Sequence, residues 1–98
     1  MEGVLILSTD TKTVLSFWDA NAYYPEDAFD YVRCLRESEV IILQKEIQAL
    51  MQADDMTRII SRLTGFQFKS AENTRSFLKA LKGHLFSAQP VPEIAEYL

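Results

Sequence analysis

Cysteine occurs once in this 98-residue chain, histidine once, and glycine and proline only three times each. The lone Cys34 excludes an intramolecular disulfide framework and suits a reducing compartment. There is no CxxC pair and no HExxH, and one histidine with one cysteine cannot furnish a structural zinc site without carboxylates. Glycines at 3, 65 and 83 are too scattered to make a phosphate-cradling loop. No stretch approaches the roughly 20 apolar residues that cross a bilayer. Ahead of Val4–Leu7 the chain reads Met1-Glu2-Gly3, acidic where a signal peptide is basic. The expectation is a cytoplasmic protein with no membrane association, no cofactor and no metal.

Catalytic groups are equally sparse. Nucleophilic catalysis needs a nucleophile, a base and a group that orients the base. Cys34 falls in a helical stretch and is expected to be a small buried apolar residue. His84 follows Gly83, expected to end a helix, and is read as a cation near the negative end of the dipole. Glu26, Asp27 and Asp30 complement a helix start more simply than they hold a cation. No residue is assigned a catalytic role, and the chain is expected not to be an enzyme.

What is present fits one domain, residues 1–98. Hydrophobic residues make up 48% and charged residues 24%, which argues against wholesale disorder. A β-hairpin is expected over about residues 3–19, its strands being Val4–Leu7 and Thr13–Trp18 with a polar loop, Ser8–Lys12, between them. In the second strand Leu15 and Phe17 face one way, and Val14 and Trp18 the other. Apolar residues on both faces call for cover on both, from helices on one side and from a partner or a second copy of the chain on the other.

The helical part is expected over about residues 25–83. Pro25 suits a first helical position and Glu26, Asp27 and Asp30 a first turn. The stretch 25–51 reads as one long helix, as two helices broken near Glu37-Ser38, or as including a short strand at 40–43. Asp54 or Asp55 caps a helix with an apolar stripe of Met56, Ile59, Ile60 and Leu63, ended by Gly65. Ser70 caps another in which Thr74, Phe77, Leu78 and Leu81 share a face, closed by Gly83. A tail, 84–98, carries a possible last turn over Glu93–Leu98. The fold class is α+β, mainly helical: an N-terminal hairpin followed by three to five helices in a single compact domain.

Net charge is −4, but it is unevenly distributed. Residues 1–56 hold four basic and eleven acidic side chains, and residues 57–84 hold six basic and one acidic. Such asymmetry is information about partners.

Two surfaces follow. Six of eleven aromatic residues stand between 17 and 31, and Trp18, Tyr23 and Tyr24, with Asp19 and Asp27 beside them, form a candidate protein-binding surface selective for a basic partner. The alternative is a DNA-binding regulator with a helix-turn-helix-like pair at 54–83, using Arg58, Arg62, Asn73, Arg75, Lys79 and Lys82. Arg62-Leu63, Gly65-Phe66 and Lys79-Ala80-Leu81 resemble, in order, the winged-helix segment of the SOS-response repressor family, over about a quarter of the chain. Six residues separate Thr64 from Ala71, however, where that motif has about three or four, and Thr74 takes an apolar position. A pI near 4.9 also disfavours phosphate binding. The favoured reading is a small module that binds another protein: an adaptor, a regulatory subunit, or an inhibitor of the kind phages and plasmids encode.

Overall fold

Ser8 begins the first regular element. Its backbone is extended, and its hydroxyl accepts a 3.4 Å hydrogen bond from the Thr11 N–H, which starts α1, Thr9–Ser16. The computed structural model describes residues 6–98. The strand expected over Thr13–Trp18 is therefore a helix up to Ser16. Thr11, Val14 and Leu15 are spaced i, i+3, i+4 and are all fully buried, so one helical face does what two strand faces were expected to do. Val14 and Leu15 are covered within the chain, and no second copy is needed to cover them. Of the other expected strand, Val4 and Leu5 lie outside the described residues, and Ile6 and Leu7 are not in a strand.

The hairpin exists, but later and shorter. Trp18–Asp19 (β1) pairs antiparallel with Ala22–Tyr23 (β2), with Trp18 opposite Tyr23 and Asp19 opposite Ala22. Ala20-Asn21 makes the turn, and the Asp19 carboxylate accepts the Asn21 N–H at 2.7 Å.

Pro25–Asp27 forms a 3₁₀ turn that leads into α2, Ala28–Arg33. The chain then extends at Arg36 and restarts as α3, Glu37–Gln52. The Arg36 N–H donates to the Glu39 carboxylate at 2.8 Å, a side-chain cap that fixes the restart. The stretch 25–51 is thus two helices broken at 34–36, and residues 40–43 are helical.

Met56–Thr64 is α4, ended by Gly65 at φ +79°, a left-handed position. Ala71–Ser87 is α5, capped by the Ser70 hydroxyl, which accepts the Asn73 N–H at 3.1 Å. The helix does not close at Gly83. It runs one turn further and ends at Ala88, φ 57°. Gly83 serves packing instead: a Cβ there would lie 3.1 Å from the Gln89 side chain, which folds back across it. A 3₁₀ turn, Ile94–Tyr97, follows Pro92 as expected.

The class expected from the sequence stands: α+β, mainly helical, with five helices and one two-stranded antiparallel hairpin near the N-terminus among the described residues. The core forms where α5 meets α2, α3, α4 and the last turn, around Phe77, Leu78 and Leu81. Trp18 packs edge-on to Phe77, ring centroids 5.9 Å apart. No helix among the described residues is long and apolar enough to cross a membrane.

Candidate functional site

The aromatic residues expected to form one binding surface are divided by the fold. Trp18 is fully buried, and its indole N–H donates to the Pro92 carbonyl at 3.0 Å. It is a core residue: the helix Thr9–Ser16 and the turn at Phe17 bring Trp18 inward, where a continued strand would have turned it outward. Tyr23 is half-buried against Phe66. Its hydroxyl donates to the Glu93 carboxylate at 3.1 Å and accepts the Ile94 N–H at 3.2 Å. Burial, then the neighbouring Glu93 carboxylate, push its phenol above the ordinary 10.0, against a lowering by the Ile94 N–H. Asp19 holds the hairpin turn. Only Tyr24 and Asp27 of that set are exposed.

The basic residues are divided too. Arg58 pairs with Asp55 at 2.8 Å. Arg75 donates through Nε to the Met51 carbonyl at 3.0 Å, satisfying an otherwise open carbonyl at the end of α3. The Lys82 ammonium donates to the Gln48 side chain at 2.7 Å. Asn73 is half-buried, and Arg62 and Lys79 are exposed. Arg58 and Arg62 line a shallow polar depression with Asp54 and Asp55, apart from the lysines of α5.

Cys34 and His84 exchange their expected environments. Cys34 is exposed, because the helix that was to bury it stops at Arg33. His84 is buried inside α5, its Nδ1 2.9 Å from the Gln89 carbonyl and its ring 5.8 Å from that of Phe29. Its Nε2 has no hydrogen-bond partner among the described residues, so the two residues form no dyad.

One concavity was not foreseen. α5 forms its floor from Ser76 to Ser87, the Gln44–Met51 part of α3 forms one wall, and residues 89–97 form the other, enclosing about 1260 Å³. The second wall is the segment expected to be a tail. It runs back along α5, with Gln89 against Gly83 at one end and Tyr97 edge-on to Phe77 at the other. Pro92 and Ile94 are buried beneath it, and bonds from Trp18, Tyr23 and His84 pin it. Apolar groups at Met51, Phe86, Val91 and Tyr97 line the groove, and Lys45, Lys79 and Lys82 stand around them with one acid, Glu96. Val91 is 40% exposed, so the apolar surface is open to solvent. Proline at 90 and 92 marked a break in the sequence, and nothing in the sequence placed that break beside α5.

Among the described residues no three His, Cys, Asp or Glu side chains come together in a way that could hold a metal ion. Comparison with known proteins returns no matching family model, no matching curated protein and no matching solved structure.

Proposed function

We propose that this chain is a non-enzymatic protein-binding module, an adaptor, regulatory subunit or small inhibitor, and that it works through the groove over α5. One observation carries the reading: an apolar-lined, solvent-open groove runs between two walls, and the second wall is fixed by side-chain bonds from the hairpin and from α5. A wall that is pre-ordered lowers the entropic cost of docking a partner. The single thiol, exposed on Cys34, fits a reducing compartment such as the cytoplasm.

The DNA-binding alternative has less behind it. A recognition helix must stand clear of its neighbours to enter a major groove, whereas α5 from Ser76 onward lies between walls. Arg58 and Arg75 are already engaged within the chain.

Capture of binding proteins from nuclease-treated lysate, compared across variants, tests the assignment. Val91→Asp should lose the proteins that the unmodified chain retains, with its circular dichroism unchanged, and Tyr24→Ala should keep them. Loss with Tyr24→Ala alone would move the site to the hairpin end. Retention of duplex DNA at low salt, abolished by Arg75→Glu with Lys79→Glu, would favour the regulator instead.

A further inference from the structure

We infer that the occupant of the groove is an acidic amphipathic helix of another protein. This rests on the groove being the binding site, and adds the chemistry of what fills it. Lys45 and Lys79 are exposed and Lys82 half-buried on its rim, and none of the three lies within 4.0 Å of a carboxylate among the described residues. The bond that Lys82 makes is to the neutral amide of Gln48. A chain of net charge −4 thus presents a locally positive, apolar-lined slot. Such a slot draws in acidic segments and turns away basic ones.

The walls also decide the conformation of the occupant. An extended peptide binds by adding a strand to a free edge, which needs a row of open N–H groups. The 89–92 wall offers no such row. Pro90 and Pro92 have no N–H, and the Gln89 N–H already donates to the Gly83 carbonyl at 3.1 Å. A helix needs only side-chain contacts. The floor from Ser76 to Ser87 is about 17 Å long at 1.5 Å per residue, room for about three turns. One or two anchors on its apolar face would reach Phe86 and Val91 while acidic residues on its flanks face the lysines.

Fluorescence anisotropy with two labelled helical peptides of about 14 residues tests this. Both carry leucine along one face; one has glutamate on the other face, and its control has lysine at the same positions. The glutamate peptide should bind at least about tenfold tighter than the control at low salt, with the preference shrinking as salt is added. Lys79→Glu should weaken it about tenfold, and Lys12→Glu, on α1 outside the groove, should leave it unchanged. Equal or tighter binding of the lysine peptide, indifference to Lys79→Glu, or displacement by duplex DNA at equal concentration would overturn the inference. So would absence of binding up to about 100 µM. If neither peptide binds but Val91→Asp still abolishes capture from lysate, the groove stands as the site and only the acidic helix is lost.

Discussion

The indole nitrogen of Trp18 donates to the carbonyl oxygen of Pro92, 3.0 Å away and 74 residues further along the chain. That bond ties the hairpin to the wall of the groove, and both partners are buried. A buried carbonyl deprived of its donor costs more than a hydrogen bond normally contributes. Trp18→Phe keeps most of the ring but removes the N–H, and should lower stability by about 2–4 kcal/mol. Trp18→Ala should cost about 3–5 kcal/mol. Urea unfolding followed by circular dichroism measures both. A loss under about 1 kcal/mol for Trp18→Phe would mean that another donor, or water, replaces the indole.

Glu46 holds the start of α1 in a similar way. One carboxylate oxygen accepts the Ser8 N–H at 2.9 Å, the Ser8 hydroxyl at 3.0 Å and the Thr11 hydroxyl at 2.6 Å. It also places negative charge at the positive end of the helix dipole. Glu46→Ala should destabilise the fold by about 1–3 kcal/mol. Glu46→Gln keeps an acceptor without the charge and should cost less. Hydrogen exchange should show the amides of α1 losing protection first. Uniform loss across α3 and α5 would show that Glu46 supports the whole fold and has no special hold on α1.

The contrast between α1 and α5 shows what the residues disclose before folding. The N-cap Ser70, the stripe Phe77, Leu78, Leu81 and the stop at Gly65 were legible because a capping hydroxyl, a 3.6-residue period and a residue free to take positive φ are local properties. Ser8-Thr9-Asp10-Thr11 reads equally well as a turn or as a helix start. Glu46, 35 residues downstream of Thr11, decides in favour of the helix. Gly83 looked like a helix stop because its reason for being small, Gln89 packed over it, is tertiary. The groove was illegible for the same reason: Val91 and Tyr97 become a wall only when Pro92 and Ile94 are seated on the core. The basic residues were visible as charge, but the division of lysines to the groove and arginines to the helix ends was not.

The two described glycines should respond oppositely to substitution. Gly65→Ala forces a side chain into φ +79° and sets its Cβ 3.4 Å from that of Ala20. The expected loss is about 1–2 kcal/mol, which lowers the melting temperature by roughly 4–16 °C in a domain of this size. Gly83→Ala sits in helical backbone and gains helix propensity of about 1 kcal/mol, offset by the contact with the Gln89 side chain, which can rotate away. It should change stability by less than about 1 kcal/mol. Melting curves of the two variants, run together, check the contrast; equal losses would show that the packing of Gln89 is rigid.

Alkaline titration tests two tyrosines that join separate parts of the chain. The Tyr31 hydroxyl donates to the Asp10 carboxylate at 2.7 Å, linking α2 to α1, and that hydrogen bond, followed by burial, raises its pKa above 10.0. Tyr23 is raised chiefly by burial, with Glu93 adding to it. A phenol with a raised folded-state pKa binds its proton more tightly folded than unfolded. Its contribution is fully present below the unfolded value near 10 and is lost as pH climbs through the folded one. The urea midpoint of the unmodified chain should therefore fall as pH rises past about 10. The double variant Tyr23→Phe, Tyr31→Phe supplies the reference. It should be less stable at neutral pH, where both hydrogen bonds are intact in the unmodified chain, and should lose less on going to high pH. Parallel curves for the two proteins would separate these tyrosines from the alkaline transition.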